Sequence, residues 1–264
     1  PMRNRIPPVV ASAGRLQPGF TLVELLVVMT IIAVLSAAGF AGMAVAKRHS
    51  TSVTSAQNLR QCAAAIQDYA LENKHYPEGE DEDGSSGGGL WAWQIREYLG
   101  GESGIEAWPN PLVLNPRHGT FGIYERPEAE RRKLVHYAAS LVVCPQVTAT
   151  EAERGDGTQE SRIVRPSDVV NPATTFLLGD APLLTSEDPA SGCLPSWPDL
   201  RPETLLGTPD QVVDENVLKK NVDFWLGKKA QFVCVDGSVL NLRPEEVIRR
   251  FFQLDPDNLG SPSP

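Results

Sequence analysis

Histidine is scarce in this chain and scattered: His49, His75, His118 and His136 form no His-Glu-x-x-His pair, so a zinc-protease helix is excluded. No phosphate-cradling glycine loop ending in Lys-Ser or Lys-Thr occurs, which removes the simplest nucleotide-binding reading. The four cysteines, Cys62, Cys144, Cys193 and Cys234, include no Cys-x-x-Cys spacing, which argues against a zinc knuckle or a thioredoxin-like redox motif. Basic residues are also in short supply. With 24 Lys and Arg against 33 Asp and Glu, the net charge is -9. The tracts Arg131-Arg132-Lys133 and Lys228-Lys229 are too short to supply the clustered cations that nucleic acid requires.

What is present is concentrated at the N-terminal end. Glu24 opens an otherwise uncharged apolar run, Leu25 to Ala46, which as a helix rises roughly 33 Å, near the ~30 Å hydrocarbon core of a bilayer. Arg3, Arg5 and Arg15 precede it without any acidic residue, so the positive-inside rule predicts a cytoplasmic leader and a head on the other side of the inner membrane. A carboxylate beside a spanning segment is costly and calls for a partner. Cutting after Gly19 supplies one, because the new α-amine of Phe20 lies one helical turn from Glu24. An ordinary signal peptide, with Leu25 to Leu35 as its apolar region and Ser36-Ala37-Ala38 as its cut, is the simpler rival. Glu24 and the continuing apolar residues Phe40, Met43 and Val45 argue against it.

The stretch Arg15-Leu16-Gln17-Pro18-Gly19-Phe20-Thr21-Leu22-Val23-Glu24-Leu25-Leu26-Val27-Val28 resembles the cleavage and methylation segment of type IV prepilins and of type II secretion pseudopilins. The resemblance implies that a prepilin peptidase cuts after Gly19, that Phe20 becomes N-methylated, and that Glu24, with Phe20, registers subunits during filament assembly. It covers about residues 15 to 48 at this end.

Beyond the apolar run, Val53, Ala56, Leu59, Ala63, Ile66 and Ala70 recur every three or four residues. That spacing predicts one long helix continuing to about Asn73, with an apolar stripe. Pro77 and the acidic, glycine-rich segment 78–89 end it. Gly39 and Gly42 each weaken a helix interior by roughly 1 kcal/mol relative to Ala. Two readings are open for them: close packing of small residues, or helix flexibility on entry into a filament.

The predicted organisation is a leader over 1–19, a transmembrane helix over 20–46, the periplasmic half of the long helix over 47–77, a loop over 78–89 and a globular head over 90–264. Leu90 to Leu99 suits a short amphipathic helix ended by Gly100-Gly101. Strand candidates are Leu134 to Val143, Thr174 to Leu178, Ala230 to Val235 and Ser238 to Leu242, the last two joined by the hairpin dipeptide Asp236-Gly237. The fold class is therefore α+β: a long N-terminal helix, membrane-spanning in its first half, packed on a small antiparallel sheet with long loops. The run Lys228 to Val239 resembles the closing motif of a large bacterial pseudopilin group, in which an apolar strand leads into Asp-Gly-His-Val and a His stands ten residues earlier. Here Ser238 and Leu226 occupy the two histidine positions.

Several side chains allow more than one reading. Asp180, after Leu177-Leu178-Gly179, ends a strand candidate where catalytic carboxylates often sit, yet no second carboxylate stands in register, so a loop or cap role is favoured. Glu80-Asp81-Glu82-Asp83 has the oxygen chemistry for calcium and also the composition of a solvated run. Trp91, Trp93, Trp108, Trp197 and Trp225 suit core packing or stacking on sugars. One disulfide and none are both open, with Cys193 in its proline-rich loop the best candidate for bonding and Cys144 and Cys234 as buried thiols.

Taken together, these features predict a non-enzymatic structural subunit, a pseudopilin of a type II secretion or type IV pilus-like filament, assembled through its N-terminal helix after leader cleavage. A prepilin peptidase, other pilin subunits, an inner-membrane secretion platform and membrane lipid would be its partners. The alternative is a surface-binding minor pilin or adhesin recognising a glycan or protein through its head loops.

Overall fold

A computed structural model describes residues 20–79, 91–100, 108–119, 125, 134–145, 163–183, 193, 196, 197, 199, 200, 205 and 207–255, with backbone alone at 38, 41, 42 and 44. The chain divides into two compact units at Lys47/Arg48. Helix α1 runs Leu22–Asn73, and Lys74, with φ of 67°, turns the chain left-handed just past its end, a common helix stop.

In the first unit the large apolar side chains of α1, among them Leu25, Met29, Ile32 and Phe40, are exposed. The expectation of a transmembrane helix over 20–46 is corrected here: among the described residues, no helix is long and apolar enough to cross a membrane. The membrane-spanning half of the expected fold class falls with it, as does the single-pass inner-membrane location.

In the second unit the predicted stripe is largely realised. Leu59, Ala63, Ile66 and Ala70 are buried, whereas Val53 is 45% exposed. This part of α1 lies on a four-stranded antiparallel sheet in the order β1-β2-β3-β4, made of β1 (Tyr137–Ala139), β2 (Phe176–Asp180), β3 (Ala230–Cys234) and β4 (Val239–Leu242). The candidate over 134–143 thus shrinks to three residues, while β2 starts and ends two residues later than the pattern suggested. Two short helices complete the secondary structure named below, α2 (Trp91–Gln94) and α3 (Glu215–Asn221). The amphipathic segment at 90–99 is therefore one helical turn followed by turns.

Strands β1, β2 and β3 are buried at every position, because both faces of the sheet are covered. Tyr137, Ala139, Leu177, Val233 and Val235 join Leu59 and Ile66 in one core. Ala138, Phe176, Phe232 and Cys234 join Trp197, Leu218 and Phe252 in the other. The second core is aromatic: Phe176 stacks on Phe232 and on Phe251, each at 4.4 Å. Alternation of side chains along the strands assigns neighbours to opposite cores, and the irregularity between Phe176 and Leu178 shifts that alternation along β2. Gly179 is needed where it stands, since a Cβ there would sit 2.8 Å from the Gln231 carbonyl oxygen and from the Phe232 ring.

Polar contacts fix α1 on the sheet. Ser55 Oγ and Tyr137 OH lie 3.1 Å apart, Asn58 Nδ2 donates to the Leu114 carbonyl at 3.2 Å, and Gln231 Nε2 donates to the Ser52 carbonyl at 3.2 Å. The β3–β4 connection is one residue longer than a simple dipeptide turn. Gly237 N–H donates to the Cys234 carbonyl at 2.9 Å and Cys234 N–H to the Ser238 carbonyl at 2.8 Å, closing a three-residue loop, Val235-Asp236-Gly237. Gly237 takes φ of 85°, the left-handed position of such loops. Asp236 Oδ1 accepts from Ser238 N–H at 2.9 Å.

All four cysteines are free and buried. Cys193, the best sequence candidate for a bond, instead donates from Sγ to the Ala181 carbonyl at 3.2 Å.

Candidate functional site

Two places in the molecule bear on function. The first is the start of α1. Thr21 N–H and Thr21 Oγ1 both donate to Glu24 Oε2, at 2.8 and 2.7 Å, and Glu24 N–H is 3.3 Å from Thr21 Oγ1. This reciprocal pair is a capping box, in which the cap hydroxyl and the carboxylate three residues on satisfy each other's backbone donors. Hydrogen bonds from Thr21 hold the Glu24 carboxyl below the usual range. Glu24 therefore has local partners without a neighbouring subunit. The signal was present in the sequence as Thr21-Leu22-Val23-Glu24, an S/T-x-x-E pattern ahead of an apolar run. Phe20 is 81% exposed and lies outside the helix. Gly19 lies outside the described residues, as does the acidic run 80–83. Gly39 has open space where a Cβ would sit, so close packing of the described side chains does not account for it; of Gly42 only the backbone is described, within α1.

The second place is at the end of β2. Asp180 is 1% exposed, yet its carboxylate is fully engaged. Oδ1 accepts from Asn115 Nδ2, and Oδ2 accepts from both Trp225 Nε1 and Gln231 N–H, each at 2.8 Å. Desolvation outweighs these donors and pushes the carboxyl up to about 7, because burial disfavours the charged form. The loop or cap role favoured for Asp180 takes a specific form here: it ties the segment at 115, the loop after α3 and strand β3 together.

The outer side of this tie is a surface. The Arg117 guanidinium lies 5.4 Å from the Trp225 ring centre and pairs with the Asp223 carboxylate. Next to it, Leu226 and Lys229 exchange backbone hydrogen bonds at 2.9 and 3.0 Å. The two residues at the tip, Gly227 and Lys228, both have positive φ, 57° and 69°. A turn of this type suits Gly or Asn at both tip positions, so Lys228, exposed at that tip, occupies a strained conformation. His118, edge-on to His136 at 5.1 Å, is brought down to about 3 by burial first and by the charges of His136 and Arg117 second. Of the five tryptophans, Trp91, Trp108 and Trp197 are buried in the cores, leaving Trp93 and Trp225 partly accessible. Sequence reasoning named Trp225 but missed Arg117 and Asp223, because the pair is joined across 106 residues.

Among the described residues no group of three or more His, Cys, Asp or Glu is placed to hold a metal ion. Comparison with family models finds the prokaryotic N-terminal methylation motif over residues 14–40, a segment that contains Gly19, Phe20 and Glu24 and leaves the head outside it. No curated protein and no solved structure matches the chain. What the comparisons show of this chain is thus one N-terminal motif, the prokaryotic methylation motif of residues 14–40.

Proposed function

We propose that this pilin-like protein works through its head, which recognises a glycan or protein surface with the loops around Trp225. A filament subunit stored in lipid through a spanning helix was the first expectation; the absence, among the described residues, of a helix long and apolar enough to cross a membrane removes the step on which that assembly rests. The observation that carries the recognition reading is the arrangement of Arg117 over Trp225 beside Asp223, on a loop anchored from beneath by Asp180. Partly accessible aromatic and arginine side chains held rigidly are the groups that dominate recognition surfaces. The strained Lys228 adds a second cation at the same loop. In this reading a prepilin peptidase cuts between Gly19 and Phe20, the new Phe20 amine is methylated, and other pilin subunits and a secretion platform are the remaining partners.

The test is binding of the full chain to glycan arrays and to purified subunits of the same pilin system, compared with Arg117→Ala and Lys228→Gly. Lys228→Gly relieves the turn while deleting the charge, so any loss is not a folding effect. At least a tenfold loss of binding in Arg117→Ala at unchanged melting temperature supports the reading. Binding that ignores both substitutions sinks it.

A further inference from the structure

The geometry points to Asp180 as the positioning residue of the Trp225 surface and makes that surface responsive to pH: ionised, the carboxylate holds both loops, and protonated it releases the one that carries Arg117. This rests on the recognition reading only for what the surface is used for.

All three neighbours of the carboxylate, Asn115 Nδ2, Trp225 Nε1 and Gln231 N–H, give hydrogen bonds and none accepts one. An ionised carboxylate suits such a ring because it only accepts. None of these three neighbours offers an added proton an acceptor. Oδ2 already takes two hydrogen bonds and Oδ1 one, so the proton goes to Oδ1, where it faces the Asn115 amide. Donor against donor, that contact opens. Asn115 matters because its own Oδ1 accepts from Arg117 N–H at 3.0 Å, setting the turn that presents the guanidinium to Trp225 and Asp223. Trp225 keeps its acceptor, now uncharged and therefore weaker.

Several titratable and charged groups face Asp180 from the elements around it. Tyr137, on β1, is raised well above the usual phenol by burial, and Cys193 is likewise raised by burial, so both stay neutral. Asp223, raised by burial against the pull of Arg117, and Arg117 itself pair with each other at the surface. His118 stays neutral, as shown by its low value of about 3, and His136 is edge-on to it. Asp180 itself is pushed up to about 7 by burial first, with Asp223 adding to the rise and Arg117 opposing it.

The experiment uses the indole N–H of Trp225 as a reporter. The full chain, labelled with ¹⁵N, is titrated by NMR from about pH 5 to about pH 9, bracketing the raised carboxyl. The Trp225 cross-peak is identified by its loss in Trp225→Phe. The expected result is a one-proton transition with its midpoint near the Asp180 value of about 7, absent in Asp180→Asn and moved to higher pH in Arg117→Ala, which deletes the nearby positive charge. A cross-peak that does not move with pH overturns the proposal. So does a transition that persists in Asp180→Asn, which would belong to His136 or Asp223. Should Asp180→Asn fail to fold, the ¹³C resonance of the Asp180 carboxyl in the wild-type chain decides: titration at the midpoint of the Trp225 cross-peak supports the proposal, and a carboxyl that does not titrate with it overturns it. No partner enters this titration, so a clear transition combined with binding indifferent to Arg117 and Lys228 would defeat the recognition reading and leave the Asp180 device standing.

Discussion

The two halves of α1 share one backbone geometry and differ in what their side chains meet. Before Lys47, Leu25, Met29, Ile32 and Phe40 are exposed by 58, 60, 52 and 70%, whereas after Arg48, Leu59 and Ile66 are wholly buried and alanines fill the closest approaches. The more apolar half is the more exposed one. Burial along this helix is thus set by whether a sheet is there to receive the side chain, not by hydropathy, and a small residue facing a strand counts for more in the fold than a large one facing outward. Ser55, Asn58 and Gln67 make the same point, since their polar ends are matched to groups on the head.

The largest effect that would break this comparison comes from placing one charge in each half. Ile66→Asp buries an unpaired carboxylate and should cost about 4 kcal/mol or more, enough to unfold the head. Ile32→Asp should leave the head's melting temperature unchanged. Thermal unfolding followed by near-ultraviolet circular dichroism separates the two, and equal losses would mean that the first half is buried after all.

Next in size is the pH dependence carried by Asp180. Its folded value, about 7, stands above the ordinary carboxyl value of 3.8. The folded state therefore holds more protons than the unfolded state across that interval, and stability falls as pH rises through it. The expected loss is on the order of 4 kcal/mol. Asp180→Asn should flatten this slope in denaturant titrations at a series of pH values. A slope unchanged by the substitution would assign it to another group.

Gly237→Val should cost about 2 kcal/mol through backbone strain at positive φ. Space is not the issue, because nothing lies within 4 Å of the added Cβ. Asp236→Asn keeps the acceptor for Ser238 N–H and should change the melting temperature little. A calcium-dependent loss in the Asn variant would instead reveal a metal role.

The smallest effect returns to the exposed half. Thr21→Ala removes the cap and should loosen the first turn of α1 by about 1 kcal/mol, visible as faster amide exchange from Leu22 to Leu25 with the head unaffected. Unchanged exchange there would remove the capping box from this account of Glu24.

Local signals were readable and long-range ones were not. The periodicity from Val53 to Ala70 is a property of adjacent residues, so the helix end at Asn73 falls where spacing put it, although the stop is the left-handed Lys74 and not Pro77. The β3–β4 hairpin is announced by Asp236-Gly237 for the same reason, although the extra loop residue, Val235, depends on the ladder itself. Strand β1 could not be bounded, because Leu134 to Val143 is apolar at every position but His136 and Ser140 and only three of its residues find a partner on β2. The membrane expectation came from counting apolar residues along the chain, a quantity that says nothing of where an exposed helix resides. Asp180 was placed at the end of its strand, but its meaning comes from Asn115 and Trp225, which are 65 and 45 residues away. No spacing rule connects positions so distant.

The four buried thiols carry a consequence for the life of the head. None is bonded, and burial raises Cys62, Cys144 and Cys193 far above the usual thiol range and Cys234 to about 11. The reactive thiolate is thereby suppressed. The head needs no oxidant to reach this structure and offers no ready nucleophile to a disulfide-exchange enzyme, so its folding is insulated from the redox potential around it. A cell can therefore complete this head before or after moving it between reducing and oxidising surroundings, and arrive at the same surface.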